Sequence, residues 1–153
     1  MAITSGEARQ EILDDLAAAI EQISFAAARL GEAYEELSTG AADRMEAELY
    51  MPVQKAFGRS KRAYSQYAER SGLDSHGFPP PIQQGVPSAG ARGWIEDEVA
   101  AASHAESMIS GLQDSALAIE FGDPELRAGL SEVRELLGRV PGAATGFMRT
   151  LGR

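Results

Sequence analysis

The sequence predicts an all-α protein: a four-helix bundle made of two long helical hairpins joined by a Pro/Gly-rich linker. Three observations carry this prediction. Apolar residues recur at alternating spacings of three and four across two long segments, 5–72 and 94–153. Between them lies LDSHGFPPPIQQGVPSAGARG, residues 73–93, which holds four of the seven prolines and four of the sixteen glycines. Residues suited to helix ends stand where the apolar series stop and start. At 153 residues, the chain fits one domain with a sizeable core.

The first helix is expected to start at Thr4, with Glu7 three residues later completing a capping box. Its stripe is Ile12, Leu16, Ile20, Ile23, Ala27, Leu30, Tyr34 and Leu37. Ser38-Thr39-Gly40 then supplies a break and a new cap. A helix of about 30 residues spans roughly 45 Å.

The second helix is expected over 41–71, with Gly72 as its C-terminal glycine. Its core positions are Met45, Leu49, Val53, Ala56 with Phe57, Ala63 or Tyr64, and Tyr67. Pro52 falls inside it and removes one backbone donor, so a kink is expected. Beside that kink, Tyr50, Met51 and Phe57 are the candidate lining of a small pocket.

In the linker, Pro79-Pro80-Pro81 favours extended backbone. At ~3.3–3.6 Å per residue it is long enough to run the length of a helix. Up-down-up-down and crossover bundles are therefore both open. His76, Phe78 and Ile82 are the residues that would pin it to the bundle.

The third helix is expected from Ala91–Trp94 to Phe121, with Trp94, Ile95, Val99, Ala102, Ala105, Met108, Ile109, Leu112, Ala116 and Ile119 on its apolar side. Its alanines face those of the first helix, bringing axes close and leaving little central volume. Gly122 stops it, and Asp123-Pro124-Glu125 opens the fourth with a cap, a first-turn proline and an acid near the positive end of the dipole. That helix carries Leu126, Leu130, Val133, Leu136, Leu137 and Val140 before Pro141-Gly142. The tail, with Phe147, Met148 and Leu151 beside Arg149 and Arg153, is expected to complete the end of the bundle.

The net charge of −9 argues against general nucleic-acid binding, which needs a basic footprint. The charge is also segregated. Residues 1–48 carry three basic and eleven acidic side chains, 49–72 five and one, 94–125 none and eight, and 126–153 five and two. Antiparallel pairing is expected to set basic blocks beside acidic ones. No apolar run reaches the ~18 residues that a bilayer span needs. The absence of cysteine removes disulfides and thiolate chemistry. A cytoplasmic location is the expectation.

The chemistry tested against this pattern is thin. A di-iron bundle requires two Glu-x-x-His motifs. The only histidines are His76 and His104, and the residue three before His104 is Ala101. The run Glu96-Asp97-Glu98 points different ways round a helix. Ser103 and His104 splay by about 100°. No catalytic, metal or cofactor assignment follows. One constellation remains: Lys55, Arg59 and Arg62 at i, i+4 and i+7 make a basic stripe with Lys61, Arg70, Tyr64 and Tyr67 nearby. It suits an anionic ligand, or pairing with the acidic faces of the first or third helix. The expected function is a non-catalytic scaffold or protein–protein interaction module with a protein partner or itself as a homo-oligomer. The alternative is a bundle that binds a small anion through the stripe and the Pro52 kink.

Overall fold

The computed structural model describes residues 2–82 and 90–151. The stretch 83–89, which the sequence places in the linker, and Arg153 of the tail lie outside the described residues. The protein is an all-α bundle. In chain order its helices are α1 (Ser5–Glu35), α2 (Thr39–Met45), α3 (Met51–Ser71), α4 (Gly90–Gln113), α5 (Ala116–Phe121), α6 (Pro124–Gly138) and α7 (Val140–Leu151). A π-helical turn, Glu46–Tyr50, joins α2 to α3.

The local signals act as their chemistry dictates. The Thr4 hydroxyl accepts the Glu7 N–H at 3.1 Å while the Thr4 N–H donates to the Glu7 carboxylate at 3.4 Å, closing the capping box. Ser38 caps α2 through the Ala41 N–H. Gly72 ends α3 at φ 67°, a left-handed conformation open to glycine at little cost. Asp123 accepts the Leu126 N–H at 2.8 Å and Pro124 occupies the first turn of α6.

Pro52 produces something more specific than a bend. The Met51 N–H bonds the Glu46 carbonyl five residues back, so the helical run widens by one residue just before the proline. Pro52 then sits in the first turn of α3, where a missing donor costs least.

Two boundaries differ from expectation. The third helix does not run unbroken to Phe121. Ser115 ends α4 by donating its hydroxyl to the Leu112 carbonyl at 2.7 Å, and caps α5 by accepting the Ala118 N–H at 3.1 Å. This resets the helical phase: Ala118 is buried while Ile119, assigned to the apolar side, is 68% exposed. The break between α6 and α7 falls at Arg139, and Pro141 lies in the first turn of α7 rather than interrupting a helix. At the end of α1, burial passes to Ala33, leaving Tyr34 exposed.

Basic α3 lies beside acidic α1, and α6 beside acidic α4, where Arg134 Nε meets Glu106 Oε1 at 3.0 Å, yet charge does not decide the main contacts. The most extensive packing joins α1 to α4, two acidic helices, and α3 to α6. Alanine explains the first pair. Ala19, Ala26, Ala27 and Ala33 on α1 and Ala102 and Ala105 on α4 are all buried, so the axes approach over small side chains while every carboxylate of the two helices but Glu98 stays out of the core.

Contacts along each pair give the helix directions. The Trp94 indole N–H, near the start of α4, donates to Glu36 just past the end of α1 (3.4 Å), while Asp15 and Ala18 share a hollow with Met108 and Leu112. Tyr50 borders Gly31 and Tyr34, while Tyr67 has Arg9 near it. Both α3 and α4 are thus antiparallel to α1 and parallel to each other. The connection from Gly72 to Gly90 joins opposite ends of the bundle, which makes the topology a crossover.

The tail closes one end. Phe147 is buried beneath the Arg44 guanidinium, 5.5 Å from the ring centre, and Arg44 donates to Thr150 at 3.1 Å. Among the described residues no helix is long and apolar enough to cross a membrane.

Candidate functional site

The basic stripe is a surface feature of α3 where it meets α6. Lys55, Arg59 and Arg62 share one helical face and line a single open groove of about 390 Å³ with Met51, Gln54, Gly58 and Leu136. Arg59 is held there: its Nε lies 2.6 Å from Oε2 of Glu132 on α6. Close packing makes room for this, because a β-carbon at Gly129 would stand 3.1 Å from both Arg59 Nη atoms and from the Ala63 β-carbon. Lys55 and Arg62 are exposed and form no ion pair among the described residues. The basic block therefore finds its carboxylates on α6 and at Asp123, not on the first or third helix as expected.

The three residues expected to form a pocket are dispersed. Tyr50 borders a notch of about 230 Å³ with Gly31, Tyr34, Glu35 and Glu46. Met51 belongs to the basic groove, and Phe57 lies in the core with the Lys61 ammonium 4.1 Å above its ring. Residues turn by about 100° each round a helix of 3.6 residues per turn, so Tyr50, Met51 and Phe57 face different ways.

A second surface feature comes from the linker. The rings of Tyr64, His76 and Phe78 cluster with centroids 4.7–5.2 Å apart, pinning the first part of the linker to α3. The His76 N–H points to the Tyr64 hydroxyl at 3.5 Å. Beyond this cluster, Phe78, Pro79, Pro80 and Ile82 face Glu21, Ser24 and Phe25 of α1 across a cleft of about 420 Å³. Phe25 is 43% and Ile82 71% exposed. Ile82 is thus no anchor, unlike His76 and Phe78.

Sequence reasoning missed Glu98. Its side chain is fully buried and neither carboxylate oxygen has a hydrogen-bond partner among the described residues. Burial pushes its pKa up to about 8, so the carboxyl is held mainly neutral at pH 7. The signal was present in the spacing: Ile95, Glu98, Ala102, Ala105, Ile109 and Leu112 form one unbroken three-four series, all buried. His104 is exposed, bordering a hollow with Gln22, Phe25, Arg29 and Asp97. Among the described residues no three His, Cys, Asp or Glu side chains are grouped to hold a metal ion.

Comparison with known proteins finds no match to this chain among family models, curated proteins or solved structures.

Proposed function

We propose that this chain is a non-catalytic helical interaction module that presents the α1–linker cleft to a protein partner, a second copy of itself being the partner expected first. The observation that carries the reading is the apolar surface of Phe25, Phe78, Pro79, Pro80 and Ile82, gathered on one side of the bundle. Contiguous exposed apolar surface of this kind marks interaction sites. Charge supports a second copy: α1 bears seven acidic and two basic side chains, whereas α3 bears one and five. Opposed acidic and basic surfaces favour ordered association.

Native mass spectrometry with light scattering tests this. The expected result is a dimer or larger assembly for the wild type, and a monomer for Phe25→Glu combined with Ile82→Glu. A wild-type monomer that copurifies with no other protein would overturn the reading.

A second reading, anion binding, rests on its own observation. Lys55, Arg59 and Arg62 converge on one groove, and two of the three lack an ion-pair partner among the described residues.

A further inference from the structure

Gly58 gives the basic groove a chemical character beyond its charge. It lies in the interior of α3, where glycine is less favourable than alanine. Packing does not ask for it, since a β-carbon there would meet nothing within 4 Å. What its missing side chain does is leave a depression on the face between Lys55 and Arg62, three residues before it and four after. Met51, 42% exposed, and half-buried Leu136 border the same depression.

The cations are arranged round this apolar floor. Arg59 spends its Nε on Glu132, while neither Nη donates to a side chain of the described residues. Lys55 and Arg62 add two more donor groups from the next turns of the helix. A bare inorganic anion would use the cations and leave Met51, Leu136 and the bared backbone at Gly58 without a role. A volume of about 390 Å³ falls within the range of small-molecule sites.

We propose that the α3–α6 groove binds a small amphipathic anion, an alkyl or aryl phosphate or carboxylate, with its head among Lys55, Arg59 and Arg62 and its body over Gly58 against Met51 and Leu136. This rests on the anion-binding reading above and names the ligand class.

Isothermal titration calorimetry with octyl phosphate, and separately with inorganic phosphate, tests it on the full chain. Octyl phosphate is expected to bind at least about tenfold more tightly, since each buried methylene adds roughly 0.8 kcal/mol. Gly58→Leu fills the depression with a good helix former. It should weaken octyl phosphate about tenfold or more while the melting temperature is kept or raised, which separates loss of the site from loss of the fold. Lys55→Gln combined with Arg62→Gln should abolish binding of both anions.

Equal affinity for the two phosphates would overturn the amphipathic inference and leave the anion reading standing. Binding of neither would overturn both. Cosedimentation with phosphatidylglycerol vesicles, abolished by the Lys55 and Arg62 changes and unaccompanied by octyl phosphate binding, would overturn the proposal in favour of a membrane surface.

Discussion

Arg70 grips Asp123 at two points, Nε to Oδ2 at 2.7 Å and Nη2 to Oδ1 at 2.9 Å, tying the last turn of α3 to the residue that caps α6. Burial raises the Asp123 pKa, but the Arg70 hydrogen bonds, the Leu126 N–H and the charges of Arg70 and Arg127 outweigh it, and the net shift is downward from 3.8. The two changes should therefore be unequal. Asp123→Ala loses cap and ion pair together and should cost about 2 kcal/mol; Arg70→Ala, at a partly exposed pair, about 1 kcal/mol or less. Urea denaturation measures both. Because the folded pKa is depressed, this contribution is complete above pH about 4 and is lost as pH falls through the folded value. Asp123→Asn should flatten that acid limb. Equal costs for the two alanine variants would contradict the double role.

Glu98 has the opposite sign. Its pKa rises with burial from 4.5 unfolded to about 8 folded, so the folded state keeps a proton that the unfolded state has released. Stability should fall as pH rises from about 4.5 to 8 and level off beyond, by an amount on the order of several kcal/mol. Glu98→Leu should melt higher than wild type at pH 8.5, with much of that gap gone at pH 4.5. Glu98→Gln should lose the slope across the window. Parallel melting curves for wild type and both variants would refute the assignment.

Helix ends were the most legible feature because each is a local contract between neighbours: Thr4 with Glu7, Ser38 with Ala41, Asp123 with Leu126. The pairing of helices is not local. Charge blocks suggested acid beside base, which α1 with α3 and α4 with α6 satisfy, but the most extensive face is set by small and apolar residues, and the alanines of α1 meet those of α4. Ser115 also escaped notice, since Ala116 and Ile119 continue the apolar series through a break that one hydroxyl makes. Lys55, Arg59 and Arg62 were legible as a stripe because they share a helix. Their floor was not, because Leu136 reaches it from α6.

Gly72 offers a backbone test. Its φ of 67° lies in the left-handed region, and a β-carbon there would meet nothing within 4 Å, so any cost of Gly72→Ala is conformational rather than steric crowding by neighbours. That cost should be about 1–2 kcal/mol. Gly58→Ala, in an ordinary helical position with equal room, should instead stabilise by about 1 kcal/mol. Chemical denaturation of the two variants decides it, and the same sign for both would refute the distinction.

The described part of the linker, Leu73–Ile82, meets α3 through one aromatic cluster. Phe78 stands edge-on to Tyr64 at 5.2 Å and 4.7 Å from His76, while Asp74, Ser75 and Gly77 are exposed. Aromatic pairs of this kind contribute about 0.5–1.5 kcal/mol each. That is small against the stability of a domain and large for a segment with little else to hold it. Phe78→Ala should therefore lower the melting temperature only slightly while cleavage after Leu73–Ile82 by a broad-specificity protease becomes several-fold faster, since cutting tracks local opening. Tyr64→Phe, which keeps the ring and removes only the hydroxyl facing the His76 N–H, should cleave at nearly the wild-type rate. Equal cleavage of wild type and Phe78→Ala would mean that the three rings do not hold the crossover in place.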